Sequence, residues 1–343
     1  MRSSWQMRAV TGSGALTVTL RSRGLAPIPQ FGFGGAGRGG ACGRPRSRYP
    51  DPAAETEALQ VEEGPMTIGF GYESRCLSCI LTDMDRSGLN THEPHIARMY
   101  DYYLGGKDHY PADAEAAEKV LQALPEVRLA AQANRGFIHR ATRYFAREAG
   151  VTQFLDIGTG IPTEPNLHQV AQEEAPKSRV VYVDNDPIVL AHARALMVGT
   201  PEGRTDYIQA DATRPEEILA AARRTLDFDE PIALSLIALL NFVPGAYEIT
   251  ETLMAELAPG SYLALTHLTA DFDPKGIAAT VKVYEERGMY CHPRNRAEIA
   301  QFFDGMEILE PGVVPIHRWR PPIEPAKSMD AKVPGYAAVG RKS

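Results

Sequence analysis

Three aspartates stand where short apolar runs end: Asp156 in QFLDIGTGIP, Asp184 in RVVYVDNDP and Asp211 in IQADA. Phe154, Leu155 and Ile157 read as a buried strand, and Gly158 and Gly160 follow as the backbone turns. Thr163 reads as the N-cap of the next helix. A strand, a glycine turn and a helix at this spacing let backbone N–H groups approach a ligand closely. A dinucleotide cradle needs a third glycine, and that position is Thr163. Asp156 sits poorly beside a diphosphate and suits an amino group or a sulfonium. The plainer alternative is that it caps turn amides.

Asp184, with Asn185 beside it, is placed to accept both hydroxyls of a ribose, a feature shared with nicotinamide sites. Asp186 before Pro187 reads as a helix N-cap with proline at the first helical position. Asp211 is placed to accept from an adenine amino group, or to be a solvated strand-end acid. Three acids at three successive strand ends are far more specific than any one.

From residue 152 onward, strands and helices alternate. Strands are expected at 153–157, 179–183, 206–210, 232–237, 262–266, 307–309 and 337–339. Helices are expected at 164–174, 187–197, 215–224, 246–257, 274–287 and 296–303. This is an α/β chain with a Rossmann-like, doubly wound, seven-stranded sheet, mostly parallel with the last strand antiparallel. Such sheets bind ligands beyond the carboxyl ends of their strands, where the strand order reverses.

Residues 91–150 read as a helical lid before a core at 151–343. Ile96, Met99, Tyr100, Tyr103 and Leu104 have helical spacing, ending at Gly105-Gly106. Two further helices follow, at 113–123 and 126–148, parted by Pro125. The second carries Leu129, Ala133, Phe137, Ile138, Ala141 and Phe145 on one face, with Arg128, Arg135, Arg140 and Arg143 elsewhere. Residues 1–90 lack periodicity, and 31–52 are low-complexity; we expect a disordered leader, or translation starting at Met66 or Met84.

Hydrophobic content of 44% with 23% charged residues is ordinary for a globular protein. The eight arginines before Asp51 meet no acid, so of the net charge of −7 the rest of the chain carries −15. An acidic body argues against a nucleic-acid partner. No apolar run is long enough to cross a membrane. Cys76 and Cys79 form a lone CxxC without a second pair, so no metal is expected; with Cys42 and Cys291 they read as thiols of a reducing cytoplasm.

DIGTG, VDNDP and QADA in this order resemble the class I S-adenosylmethionine-dependent methyltransferases. ARMYDYYLGGKDHYPAD, NRGFIHRATRYFA, QFLDIGTGIPT, VVYVDNDPIVLAHARAL and FFDGMEILEPGVVPIHRWRP narrow this to one bacterial methyltransferase family of largely unassigned substrate. The resemblance runs from about Pro94 to the C-terminus. It implies S-adenosylmethionine as cofactor, with Asp156, Gly158, Thr159 and Gly160 at its methionine part. It further implies Asp184 at the ribose, Asp211 and Ala212 at the adenine edge, and Tyr100, Gly105, Gly106 and Lys107 closing over it. The family usually has a histidine in the segment matching LLNFVP, where this chain has Asn241.

The sulfonium activates the methyl group, so the protein mainly aligns a nucleophile. A base is needed only where the acceptor carries a proton in its reactive state. Candidates are His267, Asn241 as a positioning group, and Tyr100 or His109; for His267 an ordinary hydrogen-bonded role is the alternative. His168 and His192 read as surface or packing residues. Tyr102, Tyr103 and Tyr110 read as acceptor-pocket or core residues. The expected partner is a small-molecule acceptor. The rival readings are a nicotinamide oxidoreductase and a cofactor-binding protein without catalysis.

Overall fold

The computed structural model describes residues 7–12, 15–20 and 90–343. Within the expected leader, β1 (Met7–Gly12) and β2 (Ala15–Leu20) pair as an antiparallel hairpin. ALTVTL alternates apolar and β-branched residues at the period of a strand. The rest of the leader, with Cys42, Cys76 and Cys79, lies outside the described residues.

The larger unit opens with α1 (Ile96–Leu104), α2 (Pro111–Ala123) and α3 (Val127–Arg143), the last running into a π-helical turn at Tyr144–Glu148. His95 caps α1, and Gly105 ends it in the left-handed conformation. One buried carboxylate joins the starts of α1 and α2: Asp113 accepts from the His95 and Tyr110 amides, each at 2.8 Å.

Strand and helix then alternate through β3 (Gln153–Ile157), α4 (Leu167–Glu174), β4 (Arg179–Asp184), α5 (Pro187–Leu196), β5 (Arg204–Gln209) and α6 (Pro215–Ala222). They continue through β6 (Ala233–Ile237), α7 (Ala246–Ala255), β7 (Tyr262–Leu268), α8 (Pro274–Glu285) and α9 (Arg296–Ala300). The chain closes with β8 (Met306–Ile308), β9 (Val314–Pro315) and β10 (Gly335–Lys342). Asp186 caps α5 as expected, its carboxylate accepting from the Ile188 amide at 2.8 Å.

Thr163 does not cap α4. That cap is Asn166, in a reciprocal box with Gln169, and the Thr163 amide itself donates to Asn166 Oδ1 at 3.1 Å. Pro165 delays the helix, because the residue before a proline is pushed away from helical dihedrals.

The sheet order is β5-β4-β3-β6-β7-β10-β8, with β9 beside β10. Strands β3 to β7 are parallel, and β10 runs antiparallel to both β7 and β8. Seven strands were foreseen; the two-residue β9 carries too little pattern to be read. The order reverses between β3 and β6, which puts the ligand crevice at their carboxyl ends.

Side chains alternate across the sheet. Leu155, Ile157, Val181 and Val183 face α6 and α7 in one buried cluster. Phe154, Val180 and Tyr182 face the other way, against Phe137, Ile138 and Ala141 of α3 and Leu167 of α4. By the same period Asp156 shares the α3 face. Helix α3 is therefore a layer of the core as well as a neighbour of the crevice. Helices α1 and α2 pack in a third cluster with Tyr284 of α8.

Candidate functional site

A cavity of about 400 Å³ opens at the reversal of strand order. It collects Asp156, Gly158, Thr159 and Gly160 after β3, Asp184 and Asn185 after β4, and Asp211 and Ala212 after β5. Tyr100 of α1 also lines it. Nine of the twelve residues expected around a cofactor thus share one space. Gly105, Gly106 and Lys107 do not line it. They form the turn after α1, where a Cβ on Gly106 would run into the Asp101 carboxylate, while the Lys107 side chain is 90% exposed.

The turn after β3 is held by its neighbour. The Gly158 and Thr159 amides donate to Val183 O at 2.8 and 3.2 Å, and the Gly160 amide donates to Asp184 Oδ2 at 2.9 Å. Asp184 Oδ1 accepts from the Asp186 amide at 3.0 Å. Gly158 has φ +76°, and a Cβ there would meet Leu239 Cδ1 at 2.7 Å. Only glycine fits both demands.

Burial raises the pKa of Asp156 from 3.8 to about 7; the Arg135 guanidinium opposes this and Asp184 adds to it. Burial likewise raises Asp184, against hydrogen bonds from the Asp186 and Gly160 amides. Two buried acids side by side call for a cation or for hydroxyl donors. Asp211 is exposed, and its Oδ1 accepts from the Thr213 amide and hydroxyl, each at 2.8 Å.

The lining residues not singled out for the site include His95, Asn134, Arg135 and Leu239. Arg135 was visible only as one of four arginines off the apolar face of its helix. Its Nη2 donates to the Thr163 and Pro165 carbonyls, the latter at 2.8 Å, which fixes it against the β3–α4 loop.

The base candidates sort clearly. His267 is buried outside the cavity lining: Nδ1 donates to Leu268 O at 2.8 Å, and Nε2 accepts from Arg294 Nη1 at 2.8 Å. Burial lowers its pKa to about 3, so it is a neutral structural histidine. The Tyr100 hydroxyl donates to Ala131 O at 3.1 Å, and burial raises its pKa to about 12. Asn241 is buried and absent from the lining, although its neighbours Leu239, Phe242, Val243 and Pro244 are there. His109 pairs with Asp101 at 3.1 Å away from the cavity. Tyr103 packs with Tyr284, Tyr102 reaches Glu118, and Tyr110 precedes α2, so these tyrosines build the helical unit. His168 is fully buried against Tyr182, the packing role.

A family model described as S-adenosyl methyltransferase matches residues 82–343. The chain belongs to that family. The methyltransferase is 46% identical to a DUF574 family protein from Streptomyces avermitilis, covering 74% of this chain and all of that one, with a TM-score of 0.71. It is 38% identical to a solved Thermobifida fusca protein, covering 75% of this chain and 97% of that one at a TM-score of 0.69. No curated protein matches. The methyltransferase takes S-adenosylmethionine as its methyl donor. The residues present fit that group: a glycine turn with no room for a side chain at Gly158, two buried acids, and a buried amide oxygen on Asn134 without a partner among the described residues. Among the described residues no helix is long and apolar enough to cross a membrane.

Proposed function

We propose that the methyltransferase acts on a small molecule with an apolar face, and that the cavity is divided at the switch between β3 and β6. On the β3–β4–β5 side, Asp156, Gly158, Thr159, Gly160, Asp184, Asn185, Asp211 and Ala212 hold the cofactor. When bound, S-adenosylmethionine supplies a methyl group already activated by its sulfonium. On the other side, Leu239, Phe242, Val243 and Pro244 after β6, with Met289 and Tyr290, offer an apolar wall for the acceptor.

The composition of the lining carries this reading. Among the described residues it contains no lysine, and Arg135 is its one arginine, so these residues offer little grip for a phosphate backbone. A partly open, mostly apolar space of this size suits a small ligand. The same lining supports a nucleophile that needs no protein base. Tyr100 is held protonated, and His95 Nδ1 is engaged by the Ala97 amide at 3.3 Å and by the Asp186 carboxylate at 3.3 Å. Asn241 lies off the lining, so its difference from the family's usual histidine no longer favours a non-catalytic protein. The reaction belongs in the cytoplasm, where thiols such as the buried free Cys291 stay reduced.

The test is transfer of a labelled methyl group from S-adenosylmethionine into a metabolite extract, RNA and protein, separated after reaction. Label in an extractable small molecule is the expected result. Label confined to RNA or protein would overturn the acceptor class.

A further inference from the structure

The cavity contains one buried polar atom that nothing in the described chain explains. Asn134 is 6% exposed and lines the cavity, and its Oδ1 has no hydrogen-bond partner among the described residues. Leaving such an atom unpaired costs about 1–3 kcal/mol, so it points to a donor supplied by a ligand. The orientation of the amide follows from donor counting. The Tyr100 hydroxyl has one proton, and it goes to Ala131 O at 3.1 Å. The Asn134 side chain neighbours the same hydroxyl and favours its ionised form, which is the action of an amide NH2 and not of an amide oxygen. Asn134 therefore turns its NH2 to Tyr100 and leaves Oδ1 for the cavity.

Arg135, the next residue, is the complement. Two carbonyls of the β3–α4 loop hold its Nη2, and Nε and Nη1 have no hydrogen-bond partner among the described residues. Asp156 lies close enough to act on Arg135 electrostatically, without an ion pair within 4 Å among the described residues. An acceptor without a donor, a cation with donors to spare and a buried carboxylic acid thus meet on one wall. The set matches a ligand carrying an ammonium and a carboxylate on one carbon.

We propose that Asn134 and Arg135 of α3 form the subsite for the amino-acid zwitterion of the cofactor. Asn134 Oδ1 and the Asp156 carboxylate accept from the ammonium, and Arg135 donates to the carboxylate. Tyr100 is a positioning residue that fixes the Asn134 amide. The inference rests on the S-adenosylmethionine reading and adds that a core helix before the sheet reads the end of the cofactor farthest from the adenine.

The test titrates the full chain calorimetrically with three ligands. These are S-adenosylhomocysteine, S-adenosyl-3-thiopropylamine, which lacks the carboxylate, and 5′-methylthioadenosine, which lacks the whole amino acid. Affinity is expected to fall in that order, by about tenfold or more per lost group, as charge-assisted hydrogen bonds disappear. In Asn134→Leu and Arg135→Gln, S-adenosylhomocysteine is expected to weaken by a similar factor while 5′-methylthioadenosine stays within about twofold. Equal affinity of the wild type for all three ligands would overturn the subsite without needing any variant to fold. Equal loss of both ligands in the variants would overturn it too, by showing a collapsed site. Binding of none of the three by the wild type would instead sink the cofactor reading beneath it.

Discussion

The Asp184 carboxylate accepts the backbone N–H of Gly160 at 2.9 Å, joining the end of β4 to the turn after β3. One acid thereby shapes the glycine turn on one side and the Asp186 amide on the other. The turn is pre-formed and needs no ligand to close it. Pre-organisation of this kind lowers the ordering cost of binding.

Gly158→Ala is expected to abolish detectable cofactor binding. A side chain at φ +76° costs about 1–2 kcal/mol, and its Cβ would also displace Leu239 from 2.7 Å. Leu239→Ala in the same chain relieves the second cost and not the first, so it should recover part of the binding. Full affinity in Gly158→Ala would show that the turn does not carry the ligand.

Asp156 makes binding pH-dependent. Its pKa of about 7 lies above the ordinary 3.8, so the ligand-free protein loses stability as pH rises between these values, and the acid is half-protonated near neutrality. An ammonium selects the ionised form. S-adenosylhomocysteine affinity should therefore rise from pH 6 to 8, with proton release visible as a buffer-dependent heat at pH 6. Asp156→Asn should weaken binding and flatten the profile. A flat wild-type profile would contradict this placement of the charge.

His267 should behave as structure. His267→Ala leaves the buried Arg294 without its acceptor and should cost about 2 kcal/mol in denaturant unfolding at pH 7.5. Its folded pKa of about 3 lies below the unfolded value, so its contribution is present above pH 6.5 and fades as pH falls toward 3. The variant should lose that acid sensitivity and keep kcat within about threefold. A loss of about a hundredfold at unchanged stability would make it a base instead.

Arg98 lies buried between Asp113 of α2 and Asp186 at the start of α5, with Nε 3.6 and 3.2 Å from their carboxylates. Arg98→Met strands two acids and should destabilise the fold by about 3–5 kcal/mol. Adding Asp113→Asn should recover part of that loss. An unfolding midpoint unchanged from wild type would show that the helical unit is not clipped to the core this way.

Much of this was legible because strand-end acids and glycine turns are local patterns. Asp156, Asp184 and Asp211 each follow an apolar run, so their convergence follows from a parallel sheet. What was not legible depends on packing. Arg135 and Asn134 reach the cavity only because α3 packs on the sheet face that bears Asp156. Nothing in the helix's own periodicity names that neighbour. His267 looked available because a strand-end histidine carries no sign of the buried Arg294 that occupies it. Gly105 and Gly106 belonged to a motif, and motif membership does not separate lining a site from closing a helix around Asp101.

The most direct test titrates the full chain with S-adenosylmethionine, S-adenosylhomocysteine and NAD, beside Asp184→Asn. The expected result is binding of the two sulfur ligands, a loss of about tenfold or more in the variant, and no heat from NAD. Binding of NAD alone would contradict the site proposed here.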